Sequence, residues 1–306
     1  MKQWIIMALL GVMTTTVFAS TDDCDCAGKV TVNIQIATMS MTLDRTIGGF
    51  GFSDGLFHSP GQLGVFQHSF FAADLRNRRV QRFRDTGVFE FTTQAVKTPD
   101  GDDTTMQGPF SIAVDPRGAV YVGDLDDNVI YRLDTYGRYQ ETWGQFGVLG
   151  VRFNQPMGLF VDIDGYVWVA DFGNSRVLKL DESGKQALEI DALEGGLSSP
   201  VDVWVESNRQ VWILDENGLK LFDEFGKFKR QVIAVSGASS VTQWINKYWV
   251  LTFPIEGAIR VYSYTGELIK TVKDPFKSPI DAIRLGDDRL LISDRGAHRV
   301  WLFSIH

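Results

Sequence analysis

The sequence predicts an all-β protein, a six-bladed β-propeller built from four-stranded antiparallel blades. The first observation is a repeated tetrapeptide, three mostly apolar residues followed by Asp, which recurs every 37 to 50 residues. The second is a turn glycine after each of the first five copies. The third is that short runs rich in Val, Ile, Trp and Tyr follow one another, and no amphipathic helical stretch appears beyond the N-terminus. The copies lie at 71–74, 121–124, 168–171, 212–215, 249–252 and 291–294, and the fifth ends in Thr252 instead of Asp.

Each unit contains three apolar runs before its glycine and one after it. In the third unit they lie at 158–161, 166–170, 177–180 and 187–190, and Asp and Gly at 162–165 supply turn chemistry. Four short strands in about 40–50 residues are typical of a propeller blade. The three-strand sets begin near Leu63, Phe110, Gly158, Val201, Val241 and Ile280, which predicts six blades.

The sixth unit ends at His306 before a fourth strand can form. An apolar run at 41–47 stands at the other end of the chain, where a fourth strand belongs. We therefore expect residues 41–47 to complete the sixth blade beside the C-terminal hairpin, because closure buries the flanks of the first and last blades. The alternating residues 30–38 are a candidate for an extra outer strand.

The first nineteen residues have the composition of a secretory signal peptide. Lys2 precedes an apolar run at 4–13, and Val17 and Ala19 fit a cleavage site after residue 19. A membrane anchor is the alternative, but a span needs about 20 apolar residues. We expect an exported chain, periplasmic or extracellular, with no transmembrane span in its mature form. It divides into a signal peptide (1–19), an N-terminal tail (20–40) and the propeller (41–306).

Cys24 and Cys26 are the two cysteines, and both lie in the N-terminal tail. A disulfide across one intervening residue is strained and easily reduced. One interpretation is that the two cysteines are redox-active or form an intermolecular disulfide. The alternative is that they belong to a tail with no effect on the fold. The propeller itself must hold together by packing alone.

The charge balance excludes a general nucleic-acid binder. The formal net charge is −8 and the isoelectric point is near 5.1, whereas phosphate-backbone binding needs a basic surface. We expect a protein or another ligand outside the cytoplasm as the partner.

The repeat resembles the NHL repeat, and the resemblance covers about residues 41–306. The third unit matches it nearly throughout, at Pro156, Val161, Asp162, Gly165, Val169, Ala170, Asp171, Asn174, Arg176 and Val177. The resemblance implies a six-bladed propeller. NHL propellers include protein-binding and RNA-binding modules and an amidating lyase, so it does not choose a function.

The repeated charges predict a structural motif. Three units share an Arg five residues after the Asp: Asp74 with Arg79, Asp171 with Arg176, and Asp294 with Arg299. Asp124 and Asp215 occupy the same position in units two and four. We expect the Asp to accept backbone N–H groups in the loop between the second and third strands while the Arg clamps it. A ring of ionic ligands is the alternative.

Unrepeated residues are the better candidates for function. The loop into the first blade and the second-to-third loop of the sixth emerge on one face, which brings His58 and His298 into adjacent sectors, with Arg76, Arg78 and Arg295 in the same loops. We predict a ligand site there. His68 is expected on the opposite face.

Two sets of residues on this face are candidates for a divalent-cation site, Zn²⁺ or Ca²⁺, and no other cofactor is predicted. His58 and His298 are candidate Zn²⁺ ligands, but Zn²⁺ commonly takes three or four protein ligands, and the amidating-lyase resemblance implies histidines from several blades. Asp100, Asp102 and Asp103 are oxygen donors of the kind Ca²⁺ prefers, in a spacing that is not an EF-hand; a solvated acidic loop is the alternative.

The loops 48–60 and 144–156 carry Phe at matched positions: Phe50, Phe52, Phe57, Phe146 and Phe153. Either they form a contact surface or they pack beneath the loops. No nucleophile elbow, phosphate loop or dinucleotide motif is present. The sequence therefore favours a non-catalytic binding scaffold. A metal-assisted lyase or hydrolase at the mouth of the central channel is the alternative, followed by a purely structural repeat domain.

Overall fold

The computed structural model describes residues 33–36, 39–244 and 248–306. Six antiparallel sheets account for the fold and confirm the predicted six-bladed propeller, and a separate hairpin, Ala95–Lys97 with Asp103–Thr105, projects between blades 1 and 2. The signal-peptide prediction and both cysteines lie outside the described residues. No helix in the described ranges is long and apolar enough to cross a membrane.

The strands of each blade run in chain order from the central channel outwards, except in blade 6. Blade 1 contains Pro60–Phe66, Ser69–Asp74, Arg79–Arg84 and Phe89–Thr93. Blade 2 contains Pro109–Val114, Val120–Asp124, Val129–Leu133 and Tyr139–Trp143. Blade 3 contains Pro156–Val161, Val167–Asp171, Arg176–Leu180 and Gln186–Ile190. Blade 4 contains Asp202–Val205, Val211–Asp215, Gly218–Phe222 and Phe228–Ala234. Blade 5 contains Ser240–Trp244, Tyr248–Phe253, Ala258–Ser263 and Leu268–Val272.

Blade 6 joins the two ends of the described chain. Pro279–Arg284, Arg289–Asp294 and Arg299–Ile305 are its first three strands, and Met39–Gly48 pairs antiparallel with the third. Thr42 lies opposite Ser304 and Ile47 opposite Val300. Asn33–Ile36 adds a fifth strand outside Met39–Gly48.

Burial explains the composition of the strands. Every residue of Val167–Asp171 is buried because a neighbouring blade covers each face of the sheet, whereas Gln186–Ile190 alternates because it lies at the outer edge. Six apolar clusters, each drawn from two adjacent blades, form the core. The cluster between blades 6 and 1 includes Ile47, Phe57, Leu63 and Val300, so the closing seam is packed like the others.

Two short 3-10 helices, Leu75–Asn77 and Phe172–Asn174, lie between the second and third strands of blades 1 and 3. Each ends in a residue with left-handed backbone, Arg78 and Ser175 respectively. These loops and the loops that enter each blade lie on one side of the ring, which we call the loop face.

Candidate functional site

Exposed apolar side chains concentrate on the loop face. Of the twelve exposed large apolar side chains in the described part of the chain, seven lie in its loops and four lie in turns on the opposite face. The seven are Phe50, Phe52, Phe146, Val148, Leu149, Leu193 and Ile255. An uneven distribution of this kind marks an interaction surface more than scattered single residues do.

The loop that enters blade 1, residues 49–59, is held on its buried side by the repeated Asp and Arg of that blade, Asp74 and Arg79. Asp74 accepts the His58 backbone N–H at 2.7 Å and the Arg79 Nε–H at 2.9 Å. Arg79 also donates to the Ser53 and Leu56 carbonyls. Because Asp74 and Arg79 are buried, their pairing fixes the loop from inside the protein.

The Phe residues of the two long loops divide between the two expected roles. Phe57 and Phe153 are fully buried, at 0 % exposure, whereas Phe50, Phe52 and Phe146 are 60 %, 67 % and 66 % exposed. Phe50 and Phe57 form an isolated parallel bridge, as do Phe146 and Phe153. One Phe of each bridge therefore anchors its loop and the other faces solvent.

His58 and His298 lie together at the junction of blades 6 and 1. Their ring centroids are 6.0 Å apart, and the Phe50 ring meets both edge-on at 5.2 and 5.0 Å. Phe52 contacts His58 at 5.5 Å. The four rings form one cluster, which we call the histidine–phenylalanine cluster. The sequence offered Phe50 and Phe52 as part of a contact surface but did not pair them with the histidines, because the contact with His298 arises across the closing seam.

His298 is oriented by the backbone of the next blade. Its Nδ1 accepts the Ser59 backbone N–H at 3.3 Å, and its own φ is 54°. Burial lowers the pKa of His298, and the neighbouring His58 lowers it further. Both effects favour the neutral imidazole, which is the form that can accept this hydrogen bond at Nδ1.

The predicted arginines lie in the second-to-third loops of blades 1 and 6. Arg76 and Arg78 are exposed, and Arg295 is half-buried with its guanidinium 5.6 Å from the Phe110 ring centroid. Burial lowers the pKa of Arg295, as does the charge of Arg76. The Nε of Arg295 is buried and has no hydrogen-bond partner in the described structure.

Neither predicted metal constellation assembles three ligands. Within the described ranges, no group of three or more His, Cys, Asp or Glu side chains is placed to share an ion. His58 and His298 are two, and Nδ1 of His298 is already engaged. In the hairpin loop that carries Asp100 and Asp102, Asp103 pairs with Lys97 at 2.6 Å. His68 contacts Asp85 in the turn after Phe66, on the face opposite the loop face.

The repeated aspartates bind the segment that enters their blade. Besides Asp74, Asp124 accepts from Gly108 N at 2.9 Å, Asp171 from Asn154 N at 2.7 Å, Asp215 from Ser198 N at 3.0 Å and Asp294 from Ser278 N at 2.9 Å. The expected bonds to the second-to-third loop form as well: Asp124 accepts Asp127 N, Asp215 accepts Asn217 N and Asp294 accepts Ala297 N. They fasten two loops of one blade to each other.

The expected Asp294–Arg299 pair does not form. Arg299 donates to the Ala297 carbonyl and stacks 5.2 Å from the Trp301 ring centroid, while Trp301 Nε1 donates to Asp294. The loop that enters blade 6, residues 273–278, is shorter than 49–59. It has no counterpart to the Ser53 and Leu56 carbonyls that Arg79 holds, so Arg299 turns outwards.

A second group of polar residues lines the central channel and was missed in the sequence. The channel holds a cavity of about 110 Å³ lined by residues of all six inner strands, among them Gln62, Asp202, Thr242 and Asp281. Asp202 accepts the Val241 N–H and Asp281 accepts the Leu63 N–H, both at 2.8 Å. These carboxyl groups bind amides on the open edge of the next blade's inner strand.

Burial raises the pKa of both channel aspartates. The pKa of Asp281 rises to about 6, and that of Asp202 lies well above its ordinary value because of burial and then the charge of Asp281. The signal for these residues was available: in five of the six blades a polar or small residue stands two positions after a Pro at or just before the start of the inner strand. Those residues are Gln62, Ser111, Gly158, Asp202 and Asp281.

The comparisons with known proteins show the fold. No family model and no curated protein matches the chain. A gluconolactonase from Xanthomonas campestris is similar with a TM-score of 0.62 and 14 % identity over 89 % of this chain and 91 % of that one. A virginiamycin B lyase from Staphylococcus aureus gives 0.58 and 14 % over 88 % of each chain. The WD40 β-propeller domain of Doa1 gives 0.60 and 13 % over 86 % and 96 %. At these identities the likeness establishes the β-propeller and leaves its function open.

Proposed function

We propose that this chain is an exported propeller that binds a partner protein through its loop face. The observation that carries the proposal is the concentration of exposed apolar side chains there, seven against four on the opposite face. Function-bearing loops on a rigid scaffold are the common way in which one fold serves many partners.

The test compares matched substitutions on the two faces. A Phe50→Ser/Phe52→Ser variant should lose crosslinked capture of a partner from native envelope extract. A Tyr136→Ser/Phe225→Ser variant, changed on the opposite face, should retain it. Both pairs are exposed, so melting temperatures should stay close to the parent. Equal capture by both variants would place the binding surface elsewhere.

Export is a separate part of the proposal with its own test. The run at 4–13 and the small residues Val17 and Ala19 support cleavage after residue 19. Intact mass of protein recovered from the periplasm or medium should correspond to a chain beginning at Ser20. Recovery of the uncleaved chain in the cytoplasm would contradict it.

A lyase or hydrolase is the second candidate. It is favoured by the channel carboxyl pair, because an Asp281 with a pKa of about 6 suits proton transfer near neutral pH. Gluconolactone hydrolysis, with and without added Ca²⁺ or Zn²⁺, tests it. Activity that is lost in Asp281→Asn would support an enzyme, and no activity with any metal would remove this candidate for that substrate class.

A further inference from the structure

The junction of blades 6 and 1 concentrates positive charge on a protein whose formal net charge is −8. Arg76 N donates to the His58 carbonyl at 3.1 Å, and His298 N donates to the Arg295 carbonyl at 3.4 Å. Gly296, between them, packs against the side chain of Lys277. Arg295 N also donates to the Ser278 carbonyl, which places the segments 276–279 and 295–298 side by side. Three separate loops thus bring cations to one place.

The nearby carboxylates do not neutralise these cations. Asp74 and Asp294 also act electrostatically on His298, but both are fully buried. Their oxygens accept backbone amides, from His58 to Asp74 and from Lys277 and Ser278 to Asp294. Within the described ranges, no ion pair includes Arg76, Arg78, Lys277 or Arg295, although the buried Arg79 nearby is paired twice.

Arg295 has a donor that the protein leaves unused. Its Nε is buried without an acceptor, and Phe110 covers the guanidinium. A buried donor without a partner destabilises the folded state. An acceptor supplied by a ligand offsets that cost, and a charged oxygen does so best.

The matched junction of blades 2 and 3 lacks every one of these charges. Gly173 and Ser175 stand where blade 1 has Arg76 and Arg78, and Leu125 stands where blade 6 has Arg295. The cations are therefore not needed to build a junction of this kind. Their presence at one junction is a property of that site.

We infer that the junction of blades 6 and 1 is an anion-binding site, in which Arg76, Arg295 and Lys277 take a carboxylate or phosphate group beside His298. The exposed Phe50 and Phe52 rings border the site, so an anionic group attached to an apolar body fits both parts. The inference rests on the proposed loop-face function for its biological meaning. The anion site itself can be tested without the partner.

The experiment is proton NMR of the four histidines of the purified protein. Their ring protons are titrated with pH in chloride, in inorganic phosphate and in benzoate at constant ionic strength. An anion at the site should raise the pKa of His298 and shift it saturably. His68, exposed beside Asp85 on the opposite face, is the internal control. A shift with phosphate alone identifies a phosphate group, and a shift with benzoate alone a carboxylate; either supports the site.

Arg76→Gln is the informative variant, because Arg76 is exposed and its loss should not impair folding. It should weaken anion binding about tenfold. Arg209→Gln, an exposed arginine of the opposite face, should bind as the parent does. If neither anion shifts His298 more than His68, or if Arg76→Gln binds equally well, the inference is wrong. Anion binding without any partner capture would instead count against the proposed function alone.

Discussion

The loops that enter blades 1 and 3 have the same construction but present different chemistry. In each, the buried Phe donates its N–H to a carbonyl eight residues earlier, Phe57 to Gly49 and Phe153 to Gln145, both at 2.8 Å. Arg79 and Arg176 clamp loop carbonyls in the same way. The repeated residues therefore build the loop without specifying what it binds.

The difference lies in the unrepeated positions. His58 and His298 at the first junction correspond to Asn154 and Asn128 at the second, where Asn128 Oδ1 accepts the Gln155 N–H at 2.8 Å. Both His298 and Asn128 have left-handed backbone and accept from the next blade. A histidine can thus serve this structural purpose and still bring a titratable ring to the surface. The two junctions therefore share one backbone arrangement, which we call the frame, and differ in the side chains that it presents on the loop face.

The largest loss of stability should come from replacing the arginine that holds each entry loop, Arg79 or Arg176. The loss should be equal at the two loops. Arg79→Met and Arg176→Met each leave a buried carboxylate, Asp74 or Asp171, without its cation. We expect each to lower the free energy of unfolding by about 3–5 kcal/mol. Urea unfolding at pH 7 measures both. A difference of more than about 1 kcal/mol between them would show that the two frames are not equivalent.

The two junctions should also differ in their response to pH. In the channel, Asp281 joins blade 6 to blade 1, whereas Ser111 joins blade 2 to blade 3 through the Pro156 carbonyl. Burial raises the pKa of Asp281 from 3.8 to about 6, so the folded state holds its proton more tightly than the unfolded state does. Its contribution to stability is therefore full below about pH 4 and is lost as the pH rises through about 6; it is about 3 kcal/mol.

Asp281→Asn isolates that contribution. The free energy of unfolding of the variant should depend less steeply on pH between 4 and 7. The reduction in slope should correspond to the loss of about one titrating group. Ser111→Ala is the matched control and should cost about 1 kcal/mol at every pH. An unchanged pH profile in Asp281→Asn would assign the dependence to Asp202, the other buried acid of the channel.

The frame was predictable from sequence because it repeats. Asp at the end of the second strand, the turn glycine and four short alternating runs recur every 37 to 50 residues, which is typical of a propeller blade, and the number of blades follows from the number of copies. The topology of the blades alone places His58 and His298 on loops of one face in adjacent blades, so their proximity could also be predicted. These inferences needed no side-chain packing.

The remaining features depend on packing that a repeat does not encode. Phe50 and Phe57 are identical residues in one loop, and it is the packing of Phe57 against Phe83 in the core that distinguishes the buried ring from the exposed one. Arg299 has the correct spacing from Asp294, yet a short entry loop and the Trp301 indole displace it. Asp202 and Asp281 bind backbone amides of the next blade, and the open edge of an inner strand is visible only once the ring is closed.

Replacing one exposed Phe ring should have the smallest effect on stability. It should nevertheless change the NMR signals of particular histidines and not of others. Phe50→Ser and Phe146→Ser each change one exposed ring at equivalent loop positions, so each should alter unfolding free energy by less than about 1 kcal/mol. Phe50 touches both His58 and His298. Its removal should therefore shift the NMR signals of those two histidines and leave that of His68 in place. Phe146→Ser should shift none of these three histidine signals, because no histidine ring contacts Phe146 in the described structure. Comparable shifts in both variants would mean that the two junctions are coupled across the loop face.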